Sequence, residues 1–255
     1  MSVLAFIQAR MGSSRLPGKV MKCLNGKPVI IHIVERLKLC RKIDGIVVLT
    51  SINPENIPLI DCLKAYGVDV FAGDEENVLE RFQSALALYP ADVIVRITGD
   101  SPLVDPSICD QLIDAYFHEN VDYAYLSERF AEGVDCEVIN AQELKKLNSS
   151  TLRPSEQEHV TLHFYENNDK NYRCLEMKNI QDDSHYRYTL DSSEDWQVIE
   201  AFYQANPNVK EMDYQSVKSF FDNHPEIKSI NKHIERNEGL AISLLQESEI
   251  GELSE

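Results

Sequence analysis

VLAFIQARMGSSRLPGK, residues 3–19, is the stretch on which the fold is read. Its opening, VLAFIQA (3–9), is almost continuously apolar, which suits a strand covered on both faces, as in a parallel sheet. ARMGSSRLPGK then gathers two glycines, two serines and a proline, so the chain turns there. A triphosphate needs close backbone approach, hydrogen-bond donors and fixed cations, and this turn has all three. Gly12 and Gly18 remove Cβ bulk, Ser13 and Ser14 carry hydroxyls, and Arg10, Arg15 and Lys19 supply charge. Pro17 stiffens the turn and lowers the entropy lost on ordering it. Gly12 and Gly18 are six apart and Val20 follows Lys19, so neither the GxxxxGK[ST] nor the GxGxxG pattern is met. The competing reading is a cation-rich surface loop.

Downstream, apolar spacing predicts a helix over 27–42, a strand over 45–51, a helix over 53–66 closed by Gly67, and a strand over 68–73. A helix over 76–89, a strand over 91–100, a helix over 106–120 and a strand over 121–127 follow. This alternation predicts an α/β fold, a doubly wound parallel sheet with helices on both faces, whose ligand lies outside the carboxyl ends of the strands. Arg10, Ser51, Asp74 and Asp100 all follow strand ends and fall on that side. The second half is less regular: strands at 133–140, 172–179 and 185–191, helices from 141, over 155–167 and over 192–204 with Ser193 as N-cap, two small helices within 212–237, and a frayed acidic tail over 244–255. The domain expectation is one nucleotidyltransferase domain over 1–240, with a phosphate-binding half at 1–130, sugar-side and dimerisation elements at 131–205, and an acidic tail at 241–255.

The net charge of −17 argues against a general nucleic-acid surface. Residues 1–45 nevertheless hold nine Lys/Arg against two acids, which points to a small polyanionic ligand or else to chance in helix-surface composition. No apolar run is long enough for a signal peptide or a membrane span. The six scattered cysteines form no CxxC pair and read as free thiols of a reducing, cytoplasmic setting.

IQARMGSSRLPGK, with ADVIVRITGDSPLVDP, EGVDCEV and EHVT, resembles the cytidylyltransferase family that includes the CMP-sugar-acid synthetases, and within it the spore-coat polysaccharide biosynthesis protein F branch. The likeness runs from residue 1 to about 205. It implies a Rossmann-like nucleotide-diphospho-sugar transferase fold, usually dimeric. It also implies Mg2+-dependent transfer of a nucleotidyl group from CTP to a small sugar, with release of pyrophosphate. By the same resemblance Arg10 and Lys19 hold the phosphates, Arg15 assists, the backbone at Ala9 borders the nucleotide beside Gly12 and Ser13, and Arg81 has a nucleotide-side role. An exposed helix cation paired with Glu76 or Glu80 accounts for Arg81 equally well.

Asp100 ends the strand VIVRITGD after Gly99, where an acid can reach a metal; Mg2+ takes few protein oxygens and keeps phosphates and waters. In the resembled family the aspartate of this pair is a metal ligand. Asp105 reads as the cap of the next helix. Asp191, in YTLDSSED, matches the family's other metal aspartate by position, although a helix cap fits it equally, and Glu194 and Asp195 read as first-turn acids. Asp135 and Glu137 alternate on GVDCEV and share one strand face, where they hold sugar hydroxyls, order a basic residue or simply face solvent. His159 matches the histidine of the family's REHVT stretch, but Gln157 stands where an arginine is expected, so that one anion contact is missing or comes from elsewhere, with Arg153 and Arg187 as candidates and Arg187 placed on the sugar side. His159 and His163 are one helical turn apart, yet HExxH is absent and no cysteine is near, so zinc is not expected. Rival functions are a nucleotidyltransferase using another nucleoside triphosphate or a sugar or polyol phosphate, and a non-catalytic nucleotide-binding partner in glycan assembly.

Overall fold

The computed structural model describes residues 1–167 and 171–252. Its frame is a seven-stranded sheet made of β1 (Val3–Gln8), β2 (Gly45–Ser51), β3 (Asp69–Gly73), β4 (Val93–Thr98), β5 (Tyr123–Leu126), β6 (Glu137–Asn140) and β7 (Cys174–Met177), in the order β3-β2-β1-β4-β6-β5-β7. Only β6 runs against the others, paired antiparallel to both β4 and β5. The expected mostly parallel α/β sheet is what the chain forms.

The apolar run of β1 is explained by its place between β2 and β4, both parallel to it. Val3, Ala5 and Ile7 enter the core under α1 (Val29–Leu37), α2 (Ile57–Ala65) and α4 (Pro106–Glu119). Phe6 faces the opposite core, under α3 (Val78–Leu88) and α5 (Ala141–Lys146). With no polar face the strand must lie between two layers. After β1 the chain builds outward to β2 and β3, then crosses back to β4 on the other side. The strand order therefore reverses between β1 and β4, and a crevice opens beyond their carboxyl ends. The loop after β1 and the turn after β4 flank that crevice.

Several local expectations are corrected. The first helix is shorter than 27–42, because Lys27–Pro28 pairs with Cys23–Leu24 in a small ribbon and Pro28 becomes the N-cap. The helix expected over 155–167 is broken into α6 (Pro154–Glu158) and α7 (Leu162–Glu166) by Val160, whose φ is +43°. The strand expected over 133–140 keeps only its last four residues. That over 185–191 is an extended segment joined by a single bridge, Glu132–Arg187, since its partner is a loop and not a strand. The helix α8 (Ser193–Ala205) is capped by Ser192, which accepts from Asp195 N at 3.0 Å, and not by Ser193. Beyond α9 (Tyr214–Asn223) and α10 (Pro225–Lys228), the expected frayed tail begins inside α11 (Glu238–Glu252), which docks on α6 through Ser155 Oγ to Glu247 at 2.8 Å; residues 253–255 lie outside the described residues.

Gly133 shows how closely the late segments approach each other. Its φ is +91°, and a Cβ there would meet the backbone of Tyr188 and Thr189, 2.8 Å from the Thr189 Cα. Backbone cannot move aside as a flexible side chain can, and a left-handed φ adds strain for any L side chain. Gly133→Ala is expected to destabilise the fold by at least about 2 kcal/mol in urea unfolding. A loss below about 0.5 kcal/mol, within the range of ordinary surface substitutions, would show that the two segments are not held at this spacing.

Candidate active site

A cavity of about 740 Å³ occupies the crevice. The loop 9–19 lines one side and the turn 98–101 the floor, while residues from 123–126, 132–137, 158–165, 189–191 and 236–243, with Arg81 and Arg96, contribute to the other walls. The loop after β1 is tied down by its own backbone and by Asn56, a fully buried residue whose Oδ1 accepts from Met11 N at 2.8 Å while its Nδ2 donates to Ser51 Oγ at 2.7 Å. The floor is drawn against the loop by Gly99, because a Cβ there would stand 2.8 Å from the Ala9 Cβ. The missing side chain beside Asp100 thus makes room for Ala9.

Lys19 reaches across this junction. Its Nζ lies 2.9 Å from Asp100 Oδ2 and 2.5 Å from Asp191 Oδ1. Burial works against its ammonium, but the two carboxylates outweigh that and raise its pKa. Burial likewise works against the Asp100 carboxylate, yet Lys19 and hydrogen bonds hold its pKa down to about 2. Lys19 and Asp100 are therefore both charged at neutral pH. The other loop cations are also balanced: Arg10 pairs with Glu75 at 2.6 Å, and Arg15 with Asp191 at 3.2 Å and with Glu238 of α11. Two aspartate oxygens converging on one cationic atom suit a hard divalent ion, which takes one or two carboxylates and fills its other positions with phosphate oxygens and water. Among the described residues no group of three or more His, Cys, Asp or Glu is placed to hold a metal ion between them.

Asp191 owes its position to a buried network. Asp195, fully buried, accepts from the backbone N–H of Asp191 and Ser192, both at 3.0 Å, and from Asn231 Nδ2 at 2.8 Å. It also takes both arms of Arg187, at 2.9 and 3.0 Å. The third direction of Arg187 goes to Glu132 at 2.5 Å. The expectation that Arg187 serves as the sugar-side cation is thus corrected: it is buried away from the cavity wall, and its fork is spent on Asp195 and Glu132. Asp195 in turn does more than fill a first helical turn. Arg153, the other expected substitute, pairs with Glu156 at 3.2 Å and with Glu166, outside the cavity wall. Gln157 ties down carbonyls of Ser149 and Leu152 at 2.9 and 3.0 Å.

The remaining expected residues lie as follows. Ala9, Gly12, Ser13 and Arg81 all line the cavity. Arg81 is buried and pairs with neither Glu76 nor Glu80; it donates to the carbonyls of Asp74 and Glu75 at 2.7 and 2.8 Å and so supports the turn carrying Glu75. Asp105 caps α4, accepting from Ile108 N at 2.9 Å. Asp135 and Glu137 both face the cavity, Asp135 against Arg236 at 3.1 Å and Glu137 between Arg96 and the Tyr123 hydroxyl. His159 Nε2 is 3.1 Å from Ser243 Oγ, and burial lowers its pKa, which favours the neutral ring. Sequence reading missed Arg96, Glu75, Arg236 and Asn56. Arg96 had a signal, as a lone cation in the apolar run VIVRIT; Glu75 had one in following a strand end beside Asp74. Arg236 and Asn56 had none, since tertiary packing alone brings them here.

The profile of the cytidylyltransferase family matches residues 4–219. The chain is 38% identical over 211 residues to the spore coat polysaccharide biosynthesis protein SpsF of Bacillus subtilis, covering 79% of this chain and 86% of that protein. It is 35% identical over 121 residues to the 8-amino-3,8-dideoxy-manno-octulosonate cytidylyltransferase of Shewanella frigidimarina, covering 46% of this chain and 48% of that one. A solved cytidylyltransferase from Leptospira borgpetersenii serovar Hardjo-bovis superposes with a TM-score of 0.85 at 32% identity, over 92% of this chain and 100% of that chain.

The network behind Asp191 has a measurable consequence. Burial opposes the Asp195 carboxylate, but Arg187 and Asn231 outweigh it and hold its pKa below the ordinary carboxylate range. Asp195→Asn is expected to lower stability by about 3 kcal/mol at neutral pH, because it removes one partner of a buried ion pair. A depressed folded-state pKa gives stability that is complete above the unfolded value near 3.9 and fades as the pH falls through the folded one. The gap between parent and variant should therefore narrow below about pH 4. A gap that stays constant down to pH 2.5 would show that Asp195 is not held as a carboxylate.

Proposed function

Since the chain belongs to the cytidylyltransferase family, we propose that it transfers CMP from CTP to a sugar acid, with Mg2+ bound and pyrophosphate released, to activate the sugar for surface polysaccharide or glycan assembly. The observation that carries this reading is the meeting of Lys19 with Asp100 and Asp191, which brings a phosphate-loop cation and two convergent carboxylates to one point. The sugar acid is favoured by the octulosonate named in the Shewanella relative, and the pathway by the polysaccharide named in the Bacillus relative.

In this reading Arg10, Arg15 and Lys19 leave their carboxylate partners for the triphosphate, with Ala9, Gly12 and Ser13 bordering the nucleotide and Arg81 bracing the nucleotide side. Asp100 and Asp191, relieved of Lys19, hold the divalent ion; when bound, that ion would neutralise charge on the phosphates and help lower the pKa of the attacking hydroxyl. The acceptor, held beside Asp135, Glu137 and His159, attacks the α-phosphorus in line with the departing pyrophosphate. Arg10 and Lys19 stabilise the charge that grows on the phosphoryl oxygens, and both are fixed before the reaction starts. A homodimer working in the cytoplasm belongs to the same reading, supported by the family resemblance; among the described residues no helix is long and apolar enough to cross a membrane.

Pyrophosphate release from each of the four nucleoside triphosphates, with a panel of sugar acids and sugar phosphates, tests the proposal: release is expected with CTP and a sugar acid. Asp100→Asn should then lower turnover at least a hundredfold, about 3 kcal/mol in activation free energy. Turnover within threefold of the parent would remove Asp100 from the reaction. Release with a different triphosphate and none with CTP would overturn the nucleotide assignment.

A further inference from the structure

Attack by a hydroxyl on phosphorus sets a proton free, and a half-buried carboxylate stands on the acceptor side of the cavity to receive it. We propose that Asp135 is the general base of the transfer, a reading that rests on the nucleotidyl-transfer function above.

Three segments lie side by side at this wall of the cavity. Leu190 N donates to Asp100 O at 2.9 Å, which fixes the segment carrying Asp191 beside the turn carrying Asp100. Tyr188 N donates to Glu132 O at 2.7 Å and Glu132 N to Tyr186 O at 3.0 Å, which lays the segment carrying Asp135 along the other edge. The close approach of Gly133 to Thr189 leaves no slack between them. Asp135 is thereby held near the pair assigned to the metal, one segment further toward the acceptor side. Its rotamer is fixed too: Gly133 N donates to Oδ2 at 2.9 Å and Arg236 Nη2 to Oδ1 at 3.1 Å. A carboxylate oxygen accepts at more than one position, so each keeps room for a hydroxyl.

The neighbouring carboxylates are committed elsewhere. Asp100 and Asp191 share Lys19 and, in the proposed reaction, the metal. Glu137 gives one oxygen to Arg96 and the other to the Tyr123 hydroxyl. Glu132 is paired with Arg187 at 2.5 Å. The groups facing Asp135 also set its basicity. Poor hydration in the cavity wall raises its pKa above the ordinary carboxylate range; Arg236 opposes this, while Glu137 and Asp100 add to it. A base acts best when its pKa approaches the working pH.

In the step itself the acceptor O–H bond breaks and its proton goes to a free position on the Asp135 carboxylate. The oxygen's electron pair forms the bond to the α-phosphorus. The bond from that phosphorus to the bridging oxygen breaks, and its pair leaves with pyrophosphate. Asp135 then returns the proton to water.

The test uses the full chain with CTP, Mg2+ and whichever member of a panel of 2-keto-3-deoxy sugar acids the parent turns over. Asp135→Asn is expected to reduce kcat about a hundredfold or more. It should remove the acid limb from the pH dependence of kcat/KM, because the parent loses its base as the pH falls through the pKa of Asp135. Calorimetric binding of CTP with Mg2+ and the thermal midpoint should stay near those of the parent, and Asp135→Glu should recover part of kcat with the acid limb restored. If Asp135→Asn fails to fold, Asp135→Ser carries the same expectations. Turnover within threefold of the parent, a raised KM at unchanged kcat, or an acid limb that persists at the same pH would each overturn the assignment while leaving CMP transfer standing. A parent that releases no pyrophosphate from any triphosphate with any acceptor would overturn both.

Discussion

One ammonium group, Lys19 Nζ, lies between two aspartates from distant parts of the chain, and much of the site depends on that bond. Lys19 comes from the loop after the first strand, Asp100 from the turn after the fourth, and Asp191 from an extended segment outside the sheet. Each group alone in this place would bear the cost of leaving water. Together they form a charged triad in which the unfavourable burial of each is offset by the others, so the three segments must approach as a unit. The reversal of strand order between β1 and β4 makes the crevice in which this happens.

Around the triad other carboxylates lie against the remaining cations of the loop. Glu75 holds Arg10, and Asp191 with Glu238 holds Arg15. A net charge of −17 is thus compatible with an anionic ligand, because the cations of the loop are gathered at one cavity and the local field there decides. In the proposed reaction, exchanging these carboxylates for a triphosphate would keep the charges paired both before and after the nucleotide arrives. Preorganisation of this kind reduces the rotamer entropy lost on binding.

The late half of the chain acts as a brace. Arg187, Asp195, Glu132 and Asn231 form a buried network whose outward products are the position of Asp191 and the path of the segment carrying Asp135. Such networks contribute little net stability relative to a well-packed apolar core, but they leave few alternative geometries once formed. That fits a region with little regular sheet, where hydrogen bonds between extended segments do the work that strand pairing does in the first half.

The alternating fold, the cation-bearing turn after the first strand, the capping role of Asp105 and the family were legible in the residues, because each depends on local pattern: the apolar runs, the glycines and cations of the turn, an acid just before a helix. The break at Val160, the missing strand over 185–191 and the burial of Arg187 were not, since they arise from contacts between segments far apart in sequence. A cation spaced like a ligand contact looks the same in sequence whether its fork meets a substrate or a buried aspartate. The sequence by itself determined which side chains are available to hold phosphate and metal. Only the tertiary structure decided which of them share a cavity, because a guanidinium or carboxylate takes its role from the charges and hydrogen bonds that surround it, and those come from every part of the chain.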